Sequence, residues 1–168
     1  ALNSGAAEQA HATGRYTVEC RDAAGNIRWS DTFDNLVTTG GKNDALDKYL
    51  SGSAYTAAWY LGLISATGYG AGPAAGDTSA SHAGWAEDQN YSQATRPTAG
   101  FASAAAGSKA LSSAAVYSIN ANTTMKGCFL IANSTKGGST GVLYSAGLFT
   151  AGDKVVQAGD TLNVSYTA

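Results

Sequence analysis

The fold of this chain is decided by residues 53–64, SAYTAAWYLGLI, which form the most apolar run in the sequence. In a β-strand, Trp59, Leu61 and Leu63 would face one side and Ile64 the other, so neighbouring elements must cover both faces. A run of about a dozen residues is too short to span a bilayer. The glycine-rich sequence after it argues against a long buried helix. The run therefore predicts the central strand of a β-sandwich.

Length and composition limit both the architecture and the partners. With 168 residues, of which 44% are hydrophobic, the chain can build one core, and we predict a single β-sandwich domain over residues 14–168. Only 13% of residues are charged and the net charge is -2, so we expect no direct nucleic acid binding and no membrane partner. A weakly charged surface rich in hydroxyl groups suits burial in an assembly, although it also fits a soluble β-domain.

The first thirteen residues, 1–13, contain a single large apolar side chain, Leu2. They cannot bury enough apolar surface to form a core element, so we predict an N-terminal arm that is ordered only by a partner. A permanently disordered terminus is the alternative. The segment has no basic stretch followed by an apolar core, so we expect synthesis in a cytoplasm rather than secretion.

An antiparallel hairpin is the clearest local prediction. Tyr16, Val18 and Cys20 alternate with polar residues, and residues 27–33 show the same period of two with Ile27, Trp29, Asp31 and Phe33 on one side. Residues 22–26 (DAAGN) lie between the two strands and supply the turn.

Residues 36–50 change to a helical period, with Leu46, Tyr49 and Leu50 at helical spacing. We predict one short α-helix with Asn43 as its N-cap and Gly52 as its C-terminal stop. Asp44 lies four residues before Lys48, the favourable order for an ion pair. The nearby glycine pair lacks the spacing of a phosphate-binding loop, and we expect no cofactor.

Residues 66–77 form a long glycine-rich loop that carries Tyr69. Loops of this length inside a compact domain are usually functional or mobile, and an aromatic residue between glycines is suited to contact a partner. The alternative is that Tyr69 packs back on its own domain.

Residues 81–91 hold the groups with the most chemical capability. His82, Glu87 and Asp88, with Asp77 nearby, suggest a metal site or a pair of glycosidase carboxylates, but their spacing matches no known ligand motif. The favoured interpretation is that Trp85 and Tyr91 anchor the segment to the core while the carboxylates are solvated. We therefore expect no catalytic residue and no metal site here.

The C-terminal third consists of short apolar runs separated by turn residues, which favours a sandwich or jelly roll over a βαβ fold. Gly127 is expected at a β-bulge. Cys20 and Cys128 fall on predicted strands, and we expect free buried thiols rather than a disulfide. The predicted strands are residues 115–119, 124–131, 141–145, 154–157 and 160–166.

Six segments resemble a family of small proteins encoded in tailed bacteriophages and prophages, and the resemblance extends over about residues 16–166. The segments are 33–39 (FDNLVTT), 53–60 (SAYTAAWY), 81–85 (SHAGW), 94–97 (ATRP), 133–138 (NSTKGG) and 159–164 (GDTLNV). The resemblance implies a virion structural protein made in the host cytoplasm. It supplies no catalytic residue and no ligand, because its motifs are strand edges and turns.

Two functional hypotheses follow. The first is a non-enzymatic capsid decoration or cement protein, a homo-oligomer on the capsid surface that contacts the major capsid protein or other virion subunits. The second is an exposed adhesin or fibre-associated module that binds host glycans. The candidate interface residues are Leu2, Tyr69, Trp85 and Tyr91. An enzyme is the weakest possibility, because the sequence presents no plausible acid, base or nucleophile set.

Overall fold

Ten β-strands and one α-helix make up the described part of the chain in the computed structural model, which describes residues 12–52, 54 and 58–168. The arm predicted over residues 1–13 lies almost entirely outside that part. The elements are β1 (Arg15–Arg21), β2 (Ile27–Asp34), β3 (Leu36–Val37), α1 (Thr39–Leu50), β4 (Tyr60–Ser65), β5 (Glu87–Asp88), β6 (Ala115–Ser118), β7 (Thr123–Ile131), β8 (Leu143–Leu148), β9 (Lys154–Val156) and β10 (Thr161–Thr167).

The strands form two antiparallel sheets that pack face to face. Sheet 1 has the order β2-β1-β10-β6, and sheet 2 has the order β3-β8-β7-β4-β5 with β9 also paired to β7. The main core lies between them, with Val18 and Val164 of sheet 1 and Leu61 and Leu63 of sheet 2 fully buried. The fold is therefore mainly β and an antiparallel β-sandwich, as the sequence predicts; the narrower jelly-roll topology stays a prediction.

The apolar run at residues 53–64 contributes β4, and two features of the prediction need correction. The strand begins at Tyr60 rather than Ser53, and positions 53 and 55–57 lie outside the described residues. It lies between β7 and the two-residue β5, so β7 is the central strand of sheet 2. The prediction that both faces are covered is confirmed: Leu61 and Leu63 enter the main core and Ile64 enters a second cluster on the other face.

That second cluster explains why sheet 2 is apolar on both faces. Its buried members are Ile64, Trp85, Phe129, Ile131, Leu143 and Ala146. Residues 66–86, here called the loop layer, contribute Trp85 and the partly buried Tyr69 to it. Strands covered on both faces read as near-continuous hydrophobic runs, which is the pattern of β4 and of the second half of β7.

The β1–β2 hairpin is confirmed, with Asp22 organising its turn. One Asp22 carboxylate oxygen accepts hydrogen bonds from the amides of Ala24 and Asn26, both at 2.9 Å. The contacts from Asn26 lower the pKa of the carboxyl. Ile27 does not share the inward side with Phe33: a register shift places it opposite Arg21, and it is 55% exposed.

The helix begins earlier than predicted, at Thr39, with Thr38 rather than Asn43 as its N-cap. The Thr38 hydroxyl oxygen accepts a hydrogen bond from the amide of Gly41 at 2.9 Å. A glycine is required at position 41 of the helix, because the helix backbone packs there against the backbone of Tyr144 and leaves no room for a Cβ. The Asp44–Lys48 ion pair is confirmed at 3.1 Å. Gly52, at φ +63°, follows the helix as the predicted stop.

The predicted C-terminal strands are all present, and β8 differs most in its bounds. It starts at Leu143 because the backbone at Gly141 turns with φ +82°, and it continues to Leu148. The predicted bulge is confirmed beside Gly127: Ile64 pairs with Gly127 and Ser65 with Met125, which leaves Lys126 as the extra residue.

Candidate functional site

The acidic residues of the segment at 77–88 serve as structural partners. Arg96 makes a two-pronged ion pair with Glu87, with both nitrogen–oxygen distances at 2.8 Å, and donates a further hydrogen bond to the carbonyl of Asn133 at 2.9 Å. The Arg96 and Glu87 side chains are 2% and 6% exposed. Asp88 accepts hydrogen bonds from the Thr123 hydroxyl at 2.6 Å and the Asn90 amide at 2.9 Å. The interpretation of solvated carboxylates is therefore wrong for Glu87 and Asp88.

Asp77 and His82 hold the indole of Trp85. The Trp85 Nε1–H donates to Asp77 at 2.8 Å, and the His82 ring stacks on the indole with 4.1 Å between centroids. His82 Nδ1 lies 2.9 Å from the Trp85 carbonyl, to which it donates when protonated. Among residues 12–52, 54 and 58–168, no group of three or more His, Cys, Asp or Glu side chains is placed to hold a metal ion.

Of the four candidate interface residues, three lie in the described part of the chain: Tyr69, Trp85 and Tyr91. Trp85 is 5% exposed and Tyr91 is fully buried, so the prediction that they anchor the segment to the core is confirmed. Because both side chains are buried, they cannot contact a partner, and the prediction of Trp85 and Tyr91 as interface residues is wrong. Tyr69 packs on the second cluster beneath Lys126, whose Nζ lies 4.3 Å from the ring centroid. Leu2 lies outside the described residues.

The outer face of sheet 1 is the broad polar surface of the domain. It presents hydroxyl and amide side chains in rows across the strands, and the pairing of Thr17 with both Thr32 and Ser165 sets the central row. The Thr17 and Thr32 hydroxyl oxygens are 3.1 Å apart, within hydrogen-bond distance. Along β10, Asn163 faces outward between inward-facing Leu162 and Val164.

The charges on this face are paired with one another. Arg15 binds Asp34 at 2.9 Å, and Arg21 binds Glu19 at 2.6 Å. A partner covering this face would meet neutralised pairs and hydroxyl groups rather than isolated charges, which lowers the cost of removing water. The alternation of β1 and β10 in the sequence already indicates this face.

The two cysteine side chains lie in the main core and are free thiols, as predicted. Burial, reinforced by the neighbouring Asp160 carboxylate, raises the pKa of Cys20 to about 12. Burial alone raises the pKa of Cys128. Both groups are thus poor nucleophiles at neutral pH, because the thiolate is the reactive form.

An apolar groove of about 210 Å³ opens between α1 and the end of the sandwich. Its walls include Trp59, Phe101, Leu130 and Tyr144, with Lys48 among the polar residues that line it. Trp59 and Tyr144 meet edge to face, with 5.5 Å between centroids. Helix α1 therefore forms one wall of the groove, and apolar side chains at the end of the core form the other.

Comparison with models of known protein families gives no match for this sequence, and comparison with curated proteins gives none either. Within the described part of the chain, no helix is long and apolar enough to cross a membrane. The outer face of sheet 1 is therefore the candidate binding surface of the domain.

Proposed function

We propose that this chain is a non-enzymatic virion structural protein that decorates a bacteriophage capsid, binds coat subunits and stabilises the head. The observation that carries the proposal is the outer face of sheet 1, where hydroxyl side chains such as Thr17 and Thr32 lie among internally paired charges. The resemblance of the six sequence segments to phage proteins supports the same assignment. The partners are the major capsid protein or other virion subunits.

The dimensions of the face suit a contact that is repeated many times. Three strands of seven or eight residues and the four-residue β6 cover at most roughly 19 by 23 Å, which is no more than about half of the 800 Å² that each partner buries in an interface of standard size. The arm at residues 1–13, which spans about 40 Å when extended, would supply further contact on a neighbouring subunit. On a symmetric shell, many weak contacts act together, so a modest interface is sufficient.

The alternative hypothesis, an adhesin or fibre-associated module that binds host glycans, has less support. The aromatic members of the candidate interface, Tyr69, Trp85 and Tyr91, are the residues that would form its sugar-binding platform, and sugar binding needs the flat face of such rings to be accessible. Trp85 and Tyr91 are buried, and Tyr69 lies beneath Lys126. We therefore retain the decoration role as the proposal.

The test uses particles made with and without the protein. Particles without it should assemble but release DNA at a lower temperature and survive osmotic shock or chelator less well. Adding back the wild-type protein should restore the release temperature. Particles that are equally robust without the protein and fail only at host attachment would overturn the decoration role in favour of the adhesin.

Surface variants identify the face that binds. Thr17→Lys and Ser165→Lys each place an unpaired charge in the central row of sheet 1, and both should weaken binding to particles by about tenfold or more. Ser139→Lys is the matched control, since Ser139 is exposed in the loop between β7 and β8 of the other sheet. Equal loss in all three variants would exclude sheet 1 as the binding face.

The arm is tested by deleting residues 1–13. We expect the thermal midpoint of the isolated domain to stay nearly unchanged and particle binding to weaken, because the segment has only Leu2 to bury. If the deletion unfolds the isolated domain, the arm is part of the core.

A further inference from the structure

The inward side of helix α1 is occupied by small and polar residues. Gly41 is buried against the backbone of Tyr144. One turn further on, the paired Asp44 and Lys48 face the domain as well, with side chains only 15% and 24% exposed. These three positions lie close together around the helix, which has 3.6 residues per turn. A glycine and an ion pair therefore fill the space beneath this helix only in part.

The large apolar side chains of the same helix point away from the domain. Leu46, Tyr49 and Leu50 are 55%, 88% and 71% exposed and form an exposed stripe on the outer side of α1. A surface helix usually turns such side chains toward the core, where they fill the space between the helix and the neighbouring sheet. The reversed orientation of α1 explains why the apolar groove between the helix and the sandwich stays open.

The apolar groove reaches the main core. Leu130 of β7 and Tyr166 of β10 line it, and both belong to the core, with exposures of 2% and 1%. Trp59, Phe101 and Tyr144 also line the groove; they pack against the same core but stay partly exposed. Because contact between apolar surface and water is unfavourable, a molecule that covers these rings gains binding free energy.

The aromatic walls of the groove are held in place by contacts between their rings. Trp59 meets Tyr144 edge to face with 5.5 Å between centroids, and Phe101 meets Tyr166 in the same manner at 6.1 Å. A preformed wall of this kind lowers the entropy cost of binding. An apolar cavity of about 150 Å³ holds one benzene molecule. The groove, at about 210 Å³, therefore has room for one aromatic ring with a short side chain.

The charged side chains that line the groove are Asp44, Lys48 and Lys109, which together carry one net positive charge. The Lys48 ammonium is paired with the Asp44 carboxylate at 3.1 Å. The Lys109 Nζ instead donates to a neutral acceptor, the Ala102 carbonyl oxygen, at 2.8 Å. A lysine ammonium has three N–H donors, so Lys109 can also donate to an anionic group in the groove. Such a charge-assisted hydrogen bond is stronger than one to a neutral group.

We propose that the apolar groove is a binding site for a small aromatic carboxylic acid, with its ring between the aromatic walls and its carboxylate on Lys109. Aromatic rings gain more from edge-to-face contact with other rings than from burial alone, which favours an aromatic over an aliphatic ligand. The inference goes beyond the proposed capsid role and does not depend on it. Thr17 and Ser165, which test the capsid contact, lie outside the groove.

The test is an NMR titration of the isolated full-length chain with 3-phenylpropionate. The indole N–H signal of Trp59, identified by its loss in Trp59→Phe, should shift and saturate with a dissociation constant of about 1 mM or tighter. The signal of Trp85, which is buried in the second cluster, should stay unchanged. The neutral analogue 3-phenylpropan-1-ol should bind at least several-fold more weakly. A Trp59 signal that does not shift up to about 20 mM of the acid, or equal affinity for acid and alcohol, overturns the proposal.

Variants of Lys109 test the contact with the carboxylate. Lys109→Gln should lower the affinity for 3-phenylpropionate to about that for the alcohol and leave binding of the alcohol unchanged. Lys109→Arg keeps the charge and should bind the acid within about twofold of the wild type. Lys42→Gln is the matched control, because it removes one positive charge from an exposed position of α1 outside the groove. Equal affinity of Lys109→Gln and Lys42→Gln for the acid overturns the role of Lys109.

Filling the groove locates the site. Ala45 of α1 lines the groove, and Ala45→Leu should weaken binding of both the acid and the alcohol by about tenfold or more, because the leucine side chain takes the space of the ring. Asn43→Leu is the matched control, since it adds the same side chain at an exposed position of α1 outside the groove. The dispersion of the amide signals checks that both variants remain folded. If Ala45→Leu binds the two probes as well as Asn43→Leu does, the site lies elsewhere and the proposal is wrong.

Discussion

The buried Arg96–Glu87 pair offers the sharpest test of how the fold is held together. Arg96 joins Glu87 of β5 to the carbonyls of Asn133 and Gly138 in the loop after β7, at 2.9 and 3.3 Å. Its guanidinium also lies 5.3 Å from the ring centroid of Phe129 in the second cluster. We expect Arg96→Met to leave the Glu87 carboxylate buried without its counter-charge.

The magnitude follows from that burial. Removing one partner of a buried ion pair costs about 3–5 kcal/mol, which is a large share of the 5–15 kcal/mol typical of a whole domain. Glu87→Gln should cost less, since the amide oxygen can still accept the hydrogen bond that Gly137 donates to Glu87. The double variant should cost about 2 kcal/mol less than the sum of the single variants, because it removes both buried charges.

Urea unfolding followed by tryptophan fluorescence measures these differences as shifts in midpoint at constant slope. Arg15→Met is the matched control: its partner is Asp34, at 2.9 Å, but the two side chains are 62% and 75% exposed. Removing that exposed pair should cost less than about 1 kcal/mol. If Arg96→Met costs no more than Arg15→Met, or if the double variant shows no coupling, the structural role assigned to the pair is wrong.

Three further predictions concern the core. The thiols of Cys20 and Cys128 should resist a thiol reagent at pH 8 in the native protein and both react after denaturation, with equal gel mobility with and without reductant; a crosslinked dimer would contradict this. Burial raises the pKa of the fully buried Tyr16 and Tyr117 above their ordinary value. The free energy of unfolding should therefore keep its full value below a pH of about 10 and fall above that pH by about 1.4 kcal/mol per pH unit for each such group. Unfolding midpoints that do not change between neutral and strongly alkaline pH would contradict this prediction. Gly127→Ala should destabilise the domain by about 1–3 kcal/mol, because its Cβ would meet the Gly147 carbonyl oxygen, whereas Gly76→Ala, with open space around it, should be nearly neutral.

The sandwich was predictable because its evidence is local. The alternation of Tyr16, Val18 and Cys20 in β1 and of Leu162 and Val164 in β10 reports directly which side chains are buried. The apolar runs of β4 and β7 likewise indicate strands covered on both faces. Short-range patterns of this kind survive folding, because the period of two is set by the backbone itself.

The features that were missed depend on contacts distant in the chain. Asn43 is as good an N-cap as Thr38 by residue type, and only the packing of Gly41 on Tyr144 shows that the helix starts earlier. Glu87 is likewise unremarkable in the sequence until Arg96 is known to lie against it.

The exposed stripe of α1 was missed for a related reason. The spacing of Leu46, Tyr49 and Leu50 is typical of a core-facing helix, and nothing in that spacing reveals that the opposite side is the one that docks. The outer face of sheet 1 could be recognised in part, since the polar positions of β10 are visible as a row. The sequence of one chain does not predict which partner binds each surface, because binding also depends on the surface of the partner.

Locating the protein in the intact particle by electron cryomicroscopy is the most direct test of the decoration role. We expect density for the sandwich at regular positions over the whole capsid surface, with the outer face of sheet 1 toward the coat subunits and Thr17 within the contact. Density confined to the tail or to a single vertex, or sheet 1 facing solvent over the capsid, would contradict it.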